Sequence, residues 1–141
     1  MADTSRIHVA SGVIVTAGRV LLTQRDPLRS DYGMLWECPG GKVEGSETPE
    51  EALARELREE VDLDAIVGAE LAHFDFEAAQ LASGRAARVT FFAVDRYAGH
   101  PAPKVSVGLG WFGPEELWAL PLVPANHLYR ARLANLLRGA A

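Results

Sequence analysis

Hydrophobic positions change their period several times along the chain. Ile7 to Val15 and Val20 to Gln24 are runs rich in β-branched and aliphatic residues, and Thr16-Ala17-Gly18 between them reads as a turn, so together they predict a hairpin. Leu35-Trp36-Glu37-Cys38 reads as a short strand, and Asp26-Pro27 to Gly33 before it as a loop. Pro39-Gly40-Gly41-Lys42 is a glycine turn whose backbone carbonyls can approach a ligand or metal closely. From Pro49 the period lengthens. Leu53, Leu57 and Val61 recur every fourth residue in a stretch dominated by alanine, leucine, arginine and glutamate, and at about 100° per residue they form one stripe of a helix. Thr48 supplies an N-cap hydroxyl, Pro49 suits the first helical position, and Glu51 stands at the capping-box spacing from the threonine. Ile66 to Phe76 and Ala87 to Tyr97 predict two long strands joined by a loop over Ala78 to Arg85, and Leu109 to Phe112 a short last strand. A helical turn is expected from Gly113-Pro114-Glu115-Glu116, and a closing helix over Asn126 to Arg138, where Leu128, Leu133, Leu136 and Leu137 fall at helical spacings. Strands and helices interleave, which predicts an α+β fold with a mixed sheet between helices.

Composition narrows the class without naming a chemistry. The 141 residues, 48% of them hydrophobic, suffice for one core that buries about two thirds of the unfolded surface, and no linker or repeat divides residues 1–141, so a single domain is expected. A formal charge of −5 argues against duplex nucleic acid as a partner. No apolar run approaches the ~20 residues of a membrane span, and Met-Ala-Asp-Thr-Ser-Arg lacks the apolar core of a signal peptide, so a cytoplasmic location away from membranes is expected. Cys38 is the only cysteine and reads as a packing residue, with a reactive thiol as the alternative; His8, His73, His100 and His127 show no zinc-like spacing.

Chemistry enters with the charges of the first helix. Glu56, Glu59 and Glu60 share the arc beside the apolar stripe, where like charges at these spacings repel by a few tenths of a kcal/mol per pair. A divalent cation would remove that conflict; a solvated glutamate-rich face carrying an Arg55–Glu59 pair is the structural alternative.

The spacing of these residues carries a resemblance. Gly41, five residues, Glu47, seven residues, Arg55-Glu56-Leu57, one residue, Glu59-Glu60 and one more residue resemble the signature box of the Nudix hydrolases, with Asp62 standing where that family has a glycine. Leu21 to Arg25, Leu35 to Lys42 and Pro121 to Asn126 are similar to the MutT and CTP-pyrophosphohydrolase branch, so the likeness covers most of the chain. It implies the Nudix fold, an α/β/α sandwich around a central mixed β-sheet. It also implies Mg2+, with Mn2+ as a substitute, bound by Glu56, Glu59, Glu60 and the Gly40 carbonyl. Catalysis would fall to Arg55, which orients the carboxylates, with Glu56 and Glu59, and Glu47 would tie the loop to the helix. The aspartate at position 62 should tolerate the left-handed conformation that the glycine usually takes.

Relatives in this branch usually carry another glutamate in the loop before the last strand. Val105 stands there, leaving Glu56 or Glu59 to act on the attacking water. The implied substrate is a nucleoside triphosphate, cleaved to the monophosphate and pyrophosphate, with 8-oxo-dGTP or another modified nucleotide foremost. CTP or dCTP, a broad-range nucleotide pyrophosphatase, and a catalytically weak nucleotide sensor stand as alternatives. Proline or tyrosine markers of ADP-ribose and diadenosine-polyphosphate relatives are missing over Ala78 to Gln80. Substrate contacts are expected from Arg25, Glu37 and Asn126; the alternatives are a surface role for Arg25 and an N-cap role for Asn126. Trp36, Phe74, Phe76 and Phe91 are candidates to stack on a base or to fill the core. The attacked phosphorus, α or β, and the choice between monomer and homodimer stay open at this level.

Overall fold

The first strand switches sheets after seven residues. In the computed structural model, which describes residues 6–28 and 31–139, β1 (Ile7–Val13) ends at the fully buried Ile14, and β2 (Val15–Thr16) continues into a different sheet. The expected hairpin therefore forms only between β2 and β3 (Arg19–Gln24). Its two-residue turn, Ala17 and Gly18, takes positive φ at both positions, the geometry that matches the twist of paired strands. β1 instead pairs in parallel with β7 (Ala87–Ala98), a partner some 80 residues away that periodicity alone cannot reveal. The first five residues, where no signal peptide was expected, and part of the 26–33 loop lie outside the described residues.

Two sheets result. One is mixed, in the order β5 (Gly40–Lys42), β1, β7, β6 (Asp64–Phe76); the other places β2, β4 (Trp36–Glu37) and β8 (Gly108–Phe112) around β3, all antiparallel. Alternation along β7 then splits the core. Phe91 faces α2 (Pro124–Gly139) and packs with Tyr129, Leu133 and Leu137, whereas Phe92 faces α1 (Pro49–Val61) and packs with Leu53, Leu57 and Val61. The mixed sheet is thus sandwiched between two helices, each aliphatic side chain buried there contributing about 1.5–3 kcal/mol.

Local chemistry sets both ends of α1. The Thr48 hydroxyl accepts the Glu51 N–H at 3.1 Å while the Glu51 carboxylate accepts the Thr48 N–H at 2.9 Å, a reciprocal capping box. At the other end Asp62 adopts the left-handed conformation, φ 61°, and its N–H closes on the Leu57 carbonyl. The carbonyls of Glu60 and Val61, left without partners inside the helix, accept the N–H groups of Lys104 and Ala102, both at 3.0 Å.

Three expectations need correction. Gly40 to Lys42, read as part of a turn, is the strand β5, paired antiparallel with β1. The segment after β6 is more than a loop, for it opens with a 3-10 turn over Ala78–Gln80 held by reciprocal bonds between Glu77 and Gln80. The last helix begins at Pro124, because proline suits the first helical position, which puts Asn126 inside the first turn instead of at the cap. No helix among the described residues is long and apolar enough to cross a membrane.

Candidate active site

Arg55 organises the acidic end of α1. Its Nε and Nη2 donate to the two Glu47 oxygens at 2.7 and 2.9 Å, Nη1 donates to Glu56 Oε1 at 2.7 Å, and Nη2 also reaches the Lys42 carbonyl at 3.1 Å. Glu47 further accepts the Glu44 N–H at 3.0 Å. These bonds, first the one from Arg55 and then the one from the backbone, hold the Glu47 carboxyl below its ordinary range, and Glu47 with Glu56 keeps the guanidinium still more firmly protonated. The loop, strand β5 and the helix are thereby stapled through one side chain.

Glycine is required where β5 meets α1. A Cβ on Gly41 would collide with the Glu56 carboxyl, and one on Gly40 would collide with the Ala10 carbonyl oxygen across the sheet. Glu56 is consequently pressed against bare backbone and is only 8% exposed. Glu60, one turn further on, hydrogen-bonds to Glu56 and has its carboxyl pushed up to about 8. Burial is the main cause, followed by the charge of Glu56 and the bond to it; Glu37 adds to the shift and Arg25 opposes it. Glu59 differs from both, standing exposed at the rim with a 3.5 Å contact to Arg55. The structure therefore brings Glu56 and Glu60 together and leaves Glu59 apart. No three His, Cys, Asp or Glu side chains among the described residues are already arranged to hold a metal ion. The chemistry of the donors still fits one. Oxygen ligands at an open cleft suit Mg2+ or Mn2+, and a carboxyl raised by burial and by the neighbouring Glu56, as Glu60 is, marks a place where a cation can replace a proton.

A second ion pair lies across the cleft. Thr23 pairs with Glu37 between β3 and β4, and Arg25 Nη1 donates to both Glu37 oxygens at 2.9 and 3.1 Å, while its Nε donates to the Asp31 carbonyl at 2.7 Å. Arg25 is therefore no free surface residue. Burial raises the Glu37 carboxyl, with Arg25 opposing. This pair is the common wall of two cavities. One, of about 260 Å3, is polar and bordered by Glu60, Asp26, Val105 and Ser106. The other, of about 380 Å3, runs over the mixed sheet between Val9, Phe76, Leu81, Val89 and Asn126.

Asn126 is 3% exposed at the wall of the larger cavity. Its Oδ1 accepts the Cys38 N–H at 3.4 Å and its Nδ2 donates to Cys38 Sγ at 3.2 Å. Burial pushes the Cys38 thiol up to about 12, with the charge of Glu37 adding and the bond from Asn126 opposing, so the thiol is inert at neutral pH. Of the four candidate aromatics, Phe76 alone lines this cavity. Phe91 stacks on Tyr129 at 4.6 Å between centroids, Phe74 packs edge-on to Phe91, and Trp36 packs edge-on to Phe112. The sequence reading missed Tyr32, Leu81 and Val89 as cavity residues. Alternation of Ala87 and Val89 along β7 was the available signal, but which face of the sheet stays open depends on where α2 packs.

A sequence model of the NUDIX domain matches residues 6–133, and the chain belongs to the Nudix family of hydrolases. Within that family it is similar to the CTP pyrophosphohydrolase of Escherichia coli, 39% identical over 120 residues and 85% of each chain. It is also similar to the 8-oxo-dGTP diphosphatase of Haemophilus influenzae, 34% identical over 134 residues, 94% of this chain and 95% of that one. Among solved structures, MutT from the pair Aliivibrio salmonicida and Vibrio cholerae matches with a TM-score of 0.78 at 28% identity, covering 93% of this chain and 98% of that chain.

Proposed function

We propose that the protein is a divalent-metal-dependent nucleoside triphosphate pyrophosphohydrolase, with 8-oxo-dGTP or another modified nucleotide as substrate and the monophosphate and pyrophosphate as products. One observation carries this reading: the polar cavity beside Glu60 and the larger, partly apolar cavity beside Asn126 meet at the Arg25–Glu37 pair. A nucleotide has the same division, a charged phosphate chain joined to a flat base, and one molecule can lie across that wall with each end in matching surroundings.

Glu56, Glu59, Glu60 and the Gly40 carbonyl would hold Mg2+, which when bound neutralises phosphate oxygens and eases attack by water. Arg55 fixes Glu56 through Nη1, so that a Glu56 carboxylate oxygen is held in place to accept a proton from the attacking water. Glu59, with a single long contact to Arg55, is free to turn toward the cleft when substrate arrives. Arg25 presents its guanidinium to both cavities and suits a phosphate oxygen where the chain crosses between them. Val105 brings no carboxylate to the rim of the polar cavity, and in this reading α1 supplies the base. The protein would act in the cytoplasm, as a single domain.

A second reading is a cytidine nucleotide substrate. The Escherichia coli relative named for CTP supports it, being more identical over its match than the Haemophilus influenzae protein named for 8-oxo-dGTP. Pyrophosphate release at saturating Mg2+ across 8-oxo-dGTP, dGTP, CTP, dCTP, 5-methyl-dCTP and ADP-ribose, with Glu59→Gln as the blank, decides between them. A preference of about tenfold or more for 8-oxo-dGTP establishes the first reading. A cytidine preference moves the protein to the second, and no release above the blank overturns both in favour of a nucleotide sensor.

A further inference from the structure

Cys38 and Asn126 lie 88 residues apart in sequence yet make two contacts at one wall of the larger cavity. The Cys38 backbone N–H is a donor that cannot be turned into an acceptor, so the amide oxygen of Asn126 faces it. The amide nitrogen is then left opposite the sulfur, a weak acceptor. Each amide atom keeps one unused valence, the second lone pair of Oδ1 and the second N–H of Nδ2, and only these are available to anything in the cavity. Turning the amide over would set N–H against N–H and leave two buried polar groups unsatisfied.

The order of donor and acceptor along that edge decides which base it fits. In 8-oxoguanine N7 carries a proton, so the edge formed by O6 and N7 offers an acceptor next to a donor; in guanine both are acceptors. A fixed amide discriminates between these two edges, whereas one that turns over freely accommodates either orientation and discriminates less.

We propose that Cys38 is a specificity-determining positioning residue, whose backbone N–H and sulfur together lock the Asn126 amide in one orientation and so set the donor and acceptor order offered to a nucleobase. The proposal rests on the reading of Asn126 as the residue that meets the base. Cys38 touches no substrate in this scheme and acts only through Asn126.

The test compares Cys38→Val, which keeps an apolar side chain but removes the acceptor, with Cys38→Ser, which keeps an acceptor, and uses Asn126→Ala as reference. The quantity measured is the ratio of kcat/KM for 8-oxo-dGTP to that for dGTP; CTP against UTP, whose edges reverse donor and acceptor, replaces it if the substrate panel ranks cytidine first. Losing one neutral hydrogen bond should lower the ratio about fivefold in Cys38→Val, through KM, with kcat for the better substrate changed by less than about twofold. Cys38→Ser should restore the ratio to within about twofold of wild type. Exchange of the Asn126 side-chain amide protons, read by 15N NMR, should quicken in Cys38→Val and not in Cys38→Ser. If Asn126→Ala shifts the ratio and Cys38→Val leaves it and the exchange unchanged, or if valine and serine shift both equally, the role of Cys38 is overturned while that of Asn126 stands. An unshifted ratio in Asn126→Ala overturns the reading of Asn126 and the proposal with it. Should Cys38→Val fail to fold, Cys38→Ala makes the same comparison with serine.

Discussion

The two cavities on either side of Arg25 and Glu37 draw their walls from different parts of the chain. Around the smaller one stand the ionisable Arg25, Asp26, Glu37 and Glu60, and Glu60 belongs to the stretch from Gly40 to Asp62 that Arg55 ties together by hydrogen bonds. Around the larger one the walls come from β1, β7, the segment that follows the 3-10 turn and the start of α2, and its floor is continuous with the core. The difference teaches where each kind of substitution should act. Changing the acidic side should alter chemistry with little effect on folding, since its side chains sit on a helix that is independently capped and packed. Changing the other side should alter stability and selectivity together, because its shape is the packing.

Phe91→Ala probes the packed side most severely. Phe91 is fully buried, follows Val89 on the same face of β7 and stacks on Tyr129, so its loss should destabilise the fold by about 3–5 kcal/mol in urea unfolding. At temperatures where the variant is folded its turnover should stay near wild type; a variant of normal stability would break the contrast. Glu59→Gln probes the other side. It should cost about a hundredfold in kcat while leaving the thermal midpoint nearly unmoved, as expected of an exposed carboxylate; near-wild-type turnover would remove Glu59 from the site.

A pH titration sharpens the contrast further. Burial and Glu56 raise Glu60 from an ordinary value of 4.5 to about 8, so between those pH values the unfolded chain has released a proton that the folded chain keeps. Metal-free protein should therefore lose stability as pH rises from about 4.5 to about 8, in contrast to an acid whose native pKa is depressed. Mg2+ should lessen that loss by binding the ionised form and displacing the proton, and Glu60→Gln should flatten the profile. A metal-free profile that is flat, or that rises, over this range would show that Glu60 is not raised in the folded chain. The smallest effect is expected at Asp62→Gly. With φ at 61°, relief of the left-handed conformation should add about 0.5–1 kcal/mol and leave activity unchanged, whereas a loss of stability would show that the aspartate side chain has a role at the cap.

The same division explains what the sequence could disclose. The capping box of Thr48 and Glu51, the buried stripe of Leu53, Leu57 and Val61 and the left-handed Asp62 were all legible, since each depends on residues three or four apart on one helix. The resemblance implied that Arg55 orients the carboxylates and that Glu47 ties the loop to the helix, and in the structure Arg55 bonds to both Glu47 and Glu56. The parallel pairing of β1 with β7 was not legible, nor was the two-point contact of Cys38 with Asn126. Each joins segments some 80 to 90 residues apart, and no local pattern encodes which of several apolar strands will be neighbours. The helical position of Asn126 was misread because the proline two residues earlier, not the asparagine, marks the start.

The two hydrogen bonds from Ala102 and Lys104 to the last carbonyls of α1 have a consequence for motion. The segment bearing Val105 and Ser106 is tied to the end of the helix that carries Glu60, so that edge of the polar cavity and its acidic floor belong to one mechanical unit. Isotope exchange at those two amides should therefore follow the fraying of the helix's final turn instead of the faster opening of a surface loop.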